Sequence, residues 1–189
     1  MFQLLELDIP IVPVRGQMWS SKSLPPSIFT AISSTQSSYD WSNTSTYAEN
    51  NPPELTHISG ERITRHLYGR QRKNGEIIFG GDRENIGFTD QLDFNGIESN
   101  KNHVSELFPF ISQVEIDRAW SGFMPFSIDG KPIIGKIPRY KNLYIVSGLA
   151  SSGFGRGPMA GKYISEIVLT EHSPNILKDA EPSRFDQLN

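Results

Sequence analysis

The sequence contains no cysteine, which excludes disulfides, thiol catalysis and cysteine metal ligands. No apolar run approaches the roughly eighteen residues of a membrane span. The N-terminal FQLLEL is short, holds an acid and has no basic residue before it, so it does not read as a secretory signal. The expected location is cytoplasmic, with a mitochondrial one left open. A large excess of charge of one sign is also missing. Eighteen Lys and Arg against 21 Asp and Glu give a net charge of −3, which points to no nucleic-acid or polyanion partner. His57, His66, His103 and His172 show no ligand spacing, so no metal is expected. A nucleophile elbow of the G-x-S-x-G kind is missing, which removes the commonest hydrolase signature. No internal repeat is visible. Asn43-Thr-Ser45 spells a glycosylation sequon, but without a secretory signal it reads as chance.

What is present is a chain of 189 residues, 37% hydrophobic and 21% charged, long enough for one domain or for one and part of a second. Its most informative stretch runs from Asn142 to Thr170. A strand (Leu143 to Ser147) leads into a loop with glycines at 148, 153, 155, 157 and 161, and then into an amphipathic helix expected to open at Pro158. Glycine lets backbone approach a ligand closely, and free amides at a helix start favour an anion. The pattern suggests a nucleotide or flavin cofactor. It is not the dinucleotide fingerprint, because proline stands at 158 where the third glycine belongs. The plain alternative is a strand-to-helix turn that uses glycine for packing.

The rest of the chain reads as mixed α and β. Ile9 to Trp19 suits a strand whose Pro10 and Pro13 place it at an edge or entering a sheet. Residues 33–60, rich in Ser, Thr, Asn and Pro, read as a loop or insertion, with Tyr39, Trp41 and Tyr47 able to anchor it as a lid. From 61 to 81 short apolar runs suggest strands, with Lys73-Asn-Gly75 as a hairpin turn. Arg65, Tyr68 and Arg70 lie in this region. Alternation puts Tyr68 and Arg70 on one face, either contacting a polar substrate or displaying solvated charge. Gly80-Gly-Asp82-Arg83-Glu84 reads as a turn after a strand. Ser99 to Ile111 suits a helix limited by Pro109. Val114 to Gly122 returns to strand, and Ile128 to Ile133 is a turn between extended segments. Met159, Tyr163, Ile164, Ile167 and Val168 form the apolar face of the last helix. That closing unit is expected to need a partner to bury it, and the tail after Thr170 to be loosely ordered.

Several segments follow one another in a distinctive order: Pro13-Val-Arg-Gly-Gln17, Glu76-Ile-Ile-Phe-Gly-Gly81, Trp120-Ser-Gly122, Asp129-Gly-Lys-Pro-Ile-Ile-Gly135 and Gly153-Phe-Gly-Arg-Gly-Pro158. Together they resemble the C-terminal portion of the D-amino-acid-oxidase-like (DAO) family of FAD-dependent oxidoreductases, of the glycine oxidase and sarcosine oxidase type. The resemblance runs from about residue 9 to residue 170. The family's opening strand–turn–helix with G-x-G-x-x-G has no counterpart, so the chain matches a C-terminal half: a truncated gene model, one member of a split pair, or a domain of something longer.

The resemblance implies an α+β or α/β mixed architecture. It assigns a substrate-binding domain with a large mixed sheet to 9–115, the C-terminal strand–helix part of an FAD-binding domain to 116–170, and a polar tail to 171–189. FAD is the implied cofactor, met by Gly148, Ser152, Gly153, Phe154, Gly155, Arg156 and Gly157, whose amides would stabilise charge on the reduced ring. Ser152 stands where many relatives have histidine. The candidate substrate contacts are Tyr68 and Arg70, from their shared strand face, and Met124, from the resemblance. Met124 occupies the place of an arginine that pairs with the substrate carboxylate in glycine-oxidase-like members, and methionine cannot make that pair. The lack of cysteine excludes flavin attachment through that residue within this chain. The implied activity is C–N or C–O oxidation by hydride transfer to flavin, on a small molecule, with a separate chain supplying the missing half in the split-pair case. The alternative is a non-catalytic remnant or interaction domain that no longer binds flavin.

Overall fold

The computed structural model describes residues 6–34, the strand pairs 57–58 and 61–62, and residues 67–188. Arg65, the sequon and the three aromatics of the expected lid lie outside them. The chain divides into two compact units, one formed by residues 13–46 and 53–123, the other by 1–12, 47–52 and 124–189.

The first unit is built on a sheet with strand order β2-β5-β6-β1-β7, where β1 is Ile11–Ser23, β2 Ile32–Ser33, β5 Tyr68–Gln71, β6 Glu76–Glu84 and β7 Arg118–Ser127. A separate pair joins β3 (His57–Ile58) to β4 (Glu61–Arg62). The β5–β6 hairpin closes where expected, with Gly75 at φ +86°. β1 lies between β6 and β7 rather than at an edge. Its prolines are tolerated because Pro10 precedes the strand and Pro13 stands near its start.

Asp82, Arg83 and Glu84 are not a turn. They continue β6 as buried strand residues, because a bulge at Gly81 (φ +132°) resets the register between Gln17 and Met18. Arg15 pairs there with Glu84 and donates to the Gln91 carbonyl.

Helix α1 spans Phe94–Leu107, five residues earlier than the apolar spacing predicts. Asp93 caps it through the Asn95 amide at 3.1 Å, and Gln17 Oε1 accepts from the Asp93 amide at 2.7 Å. Pro109 ends it and opens a 3₁₀ turn to Gln113. The helix lays Ile97 and Val104 on Trp19, Ile77 and Phe79, which form the unit's core with Ile28, Leu67 and Ile111.

The second unit pairs β8 (Ile133–Lys136) antiparallel with β9 (Tyr144–Ser147). Helix α2, Gly153–Thr170, packs on this hairpin. Its inner stripe is Ala160, Tyr163, Ile164 and Ile167, whereas Met159 and Val168 stay about half exposed. The expectation that this unit could not bury itself fails because the tail supplies a cover. Leu177 and Ala180 join α2 and Ile134, while Phe185 and Leu188 join Ile133, Ile137 and Ile145. The tail is therefore a series of 3₁₀ turns with a buried side, not a loose end.

Candidate functional site

The glycine-rich corner begins where β9 ends. Gly148 sits at φ +67° in a buried position. A Cβ there would stand 3.3 Å from the Ile133 nitrogen and from Ser127 Cβ, and 3.4 Å from the Lys131 carbonyl oxygen. Only glycine fits that turn without strain. Two residues on, Ala150 also has positive φ, +51°, a conformation that is unusual for alanine and that clusters at functional sites.

A 3₁₀ turn over Ala150–Ser152 then runs directly into α2. The helix opens at Gly153, not at Pro158, which is held inside it. The physical reason is Gly157: the proline ring normally forces its predecessor out of the helical region by clashing with Cβ, and glycine has none.

The anion-favouring end is therefore moved to Ser152–Gly155. Ser152 is the N-cap, but its hydroxyl donates to the Leu149 carbonyl at 2.8 Å and caps nothing in the helix. The amides of Gly153, Phe154 and Gly155 have no partner inside an α-helix, and the helix dipole adds positive potential there. A Cβ added at Gly155 or Gly157 would meet no atom within 4 Å. Phe154 is 100% exposed, and Arg156 is exposed beside it. Gly148, Ser152, Gly153, Phe154, Gly155, Arg156 and Gly157 thus fall along one short path.

The wall behind Gly148 is the turn after β7. Ser127 donates to the Lys131 carbonyl, and Asp129 Oδ1 accepts from the Lys131 amide at 3.1 Å. Arg184, from the tail, grips Asp129 with both arms of its fork, Nε to Oδ2 at 2.7 Å and Nη2 to Oδ1 at 3.1 Å. Burial pushes the Asp129 carboxyl up, but the hydrogen bonds from Arg184 and the Lys131 amide outweigh it. The net result is a group held below the ordinary aspartate range.

Tyr68 and Arg70 lie on β5, in the other unit, and share an exposed face as alternation predicts. Burial pushes the Tyr68 phenol up, Arg83 pulls it down, and Asp82 pushes it up; the net is a rise. Met124 sits half-buried on β7, within the second unit.

The family model described as FAD dependent oxidoreductase, DAO, matches residues 1–167. The chain belongs to the DAO family of FAD-dependent oxidoreductases. It is 35% identical over 126 residues to the sarcosine oxidase subunit beta of Rhizobium meliloti, covering 65% of this chain and 29% of that one. To the glycine oxidase of Bacillus subtilis it is 28% identical over 106 residues, covering 56% of this chain and 29% of the relative. The glycine oxidase of Geobacillus kaustophilus superposes with a TM-score of 0.71 at 18% identity, over 97% of this chain and 42% of that one. The iminodiacetate oxidase of Chelativorans sp. BNC1 gives 0.72 at 20% identity, over 96% and 43%. The chain therefore spans less than half the length of these relatives, and the mixed α/β fold is that of DAO-family flavoenzymes.

Set against the DAO family's cofactor, the corner of α2 fits. It offers uncapped amides, open space over two glycines and a cation, the donor set that an electron-rich edge of a flavin requires. Among the described residues no cluster of acids and histidines could hold a metal ion, and no helix is long and apolar enough to cross a membrane. Sequence reasoning missed Arg184 and Ala150. Nothing in Glu181-Pro-Ser-Arg184 signals a partner 55 residues away, and a positive φ at alanine leaves no trace in composition.

Proposed function

We propose that this chain is the substrate-side and flavin-ring-side part of a DAO-family oxidoreductase that oxidises the C–N bond of a small amine or amino acid. The observation that carries the reading is the uncapped start of α2, opened by Gly155 and Gly157. FAD, when bound, accepts the hydride. The protein's part is orientation and charge. The amides of Gly153, Phe154 and Gly155 stabilise negative charge at the edge turned toward them, with Arg156 reinforcing the same end. Gly148 and Ala150 set where that end stands.

On the substrate side, Tyr68 and Arg70 present a phenol and a guanidinium on one face of β5. Met124 supplies apolar surface and no charge. A substrate carboxylate, if present, is thus held by a group other than residue 124. A separate chain or a further segment carrying the nucleotide-binding motif completes the cofactor site.

The second reading, a remnant or interaction domain without flavin, is favoured by one observation: the unit containing α2 buries its inner stripe on its own hairpin and tail. Flavin absorbance of the protein purified from its source cells separates the two. Expected are a bound flavin and anaerobic bleaching by one member of a panel holding glycine, sarcosine, proline and larger amines. A purified protein with no flavin, and none taken up on adding FAD, would sink the enzyme reading.

A further inference from the structure

The tail that closes the second unit does more than cover apolar surface. Arg184 makes four hydrogen bonds. Two go to Asp129, one to the Lys131 carbonyl at 3.0 Å and one to the Glu181 carbonyl at 3.1 Å. Lys131 adds an ion pair to Asp179 at 3.2 Å. Pro182 stands against Gly135, where a Cβ would lie 2.8 Å from the proline ring. The carbonyl that Arg184 and Ser127 both hold, that of Lys131, is one of the three atoms crowding the position over Gly148. The hydrogen bonds from Arg184 through the Asp129–Lys131 turn therefore end at a carbonyl that bounds the space over Gly148, and two residues later come strained Ala150 and the start of α2.

We infer that Arg184 is the positioning residue of the glycine-rich corner. From the C-terminal segment it fixes the turn that backs Gly148, and so sets where the free amides of Gly153 to Gly155 point. Only a planar fork can bind both Asp129 oxygens and the Lys131 carbonyl together; a lysine supplies the charge but not the geometry. The rival role is purely structural, with Arg184 merely anchoring the tail. Naming the corner as the cofactor side rests on the function proposed above; the positioning itself does not.

The test is amide hydrogen exchange on the full 189-residue chain, comparing wild type, R184Q, R184K and L188A. Leu188 is fully buried in the same tail and its side chain can make no hydrogen bond, so L188A removes packing of the tail while leaving the hydrogen-bonding groups of Arg184, Asp129 and Lys131 in place. Expected for R184Q is roughly ten- to hundredfold faster local opening at residues 131–134 and 148–155, the scale of losing hydrogen bonds to a charged group. R184K should fall between R184Q and wild type. L188A should open the tail with little change at 148–155. The inference is overturned if R184Q affects only residues 175–188, or if L188A at matched melting temperature opens the corner equally. In the flavin-bound protein, R184Q should also shift the flavin absorption and weaken flavin binding by about tenfold, and L188A should do neither. A wild-type protein without flavin would end the proposed function, while the exchange pattern would still decide the role of Arg184.

Discussion

Arg184 and Asp129 face each other as a two-bond pair, at 2.7 and 3.1 Å, with the arginine 17% and the aspartate 32% exposed at the side chain. Partial exposure limits its strength to about 1–2 kcal/mol. Because the folded carboxyl titrates below the unfolded one, its contribution is complete above about pH 4, the ordinary aspartate value, and is lost as pH falls through the lower folded value. Thermal denaturation against pH should show D129N less stable than wild type at neutral pH, with the gap closing in acid. A gap that stays constant from neutral to acid pH would contradict this linkage.

Tyr68 gives the opposite limb. Its phenol is raised by burial, an effect that Arg83 only partly offsets. The folded state thus keeps the proton to higher pH than the unfolded chain, and stability falls as pH rises above about 10, where the unfolded tyrosine ionises. Ultraviolet difference titration should show a late-ionising tyrosine, and Y68F should remove it. An unchanged titration in Y68F would show that another tyrosine is the late one.

Trp19 donates its indole N–H to Asn100 at 2.9 Å, both residues almost wholly buried. Replacing Asn100 by leucine strands that donor under α1, which costs about 1–3 kcal/mol. Urea denaturation should record the loss as a lower midpoint with an unchanged slope. The β5 face that carries Tyr68 and Arg70 is not involved, so a variant that still folds should keep whatever ligand affinity that face has.

The parts legible in the sequence were those whose cause is local. Gly75 marks its hairpin because a tight turn needs positive φ, and the run Ile77-Ile78-Phe79 marks a strand buried beneath a helix. The ordered segments around Trp120, Asp129 and Gly153 were enough to indicate the family. What stayed hidden depends on distant or cancelling effects. Pro158 looked like a helix start because proline's missing N–H costs nothing at the first helical position, and Gly157, with no Cβ, lets the helix run through it instead. Asp82 to Glu84 looked like a turn because three charged residues in a row suggest solvent, whereas they lie in a buried strand where Glu84 is paired from β1, by Arg15. The tail looked loose because it is polar and marked by prolines, although Leu177, Phe185 and Leu188 are each buried in an apolar cluster. The glycine-rich corner was therefore visible in its glycines, whereas Arg184, bonded to the turn beside it, was not.

Two glycines in the corner make the sharpest contrast. Gly148 needs its positive φ and has atoms at 3.3 Å where a Cβ would go, so G148A should destabilise by about 1–3 kcal/mol from left-handed strain and crowding together. Gly155 is helical with nothing near it and does not precede the proline, so G155A should stabilise the fold by about 0.5–1 kcal/mol through helix propensity. If the open space over Gly155 exists only because glycine is a common loop residue, G155A gains stability at no functional cost. If it lets a cofactor approach the backbone, the same variant melts higher yet binds flavin more weakly, and added FAD raises its melting temperature less than it raises that of wild type. Differential scanning fluorimetry with and without FAD reads both quantities at once. A G155A protein that is both more stable and equally responsive to FAD would remove Gly155 from the site.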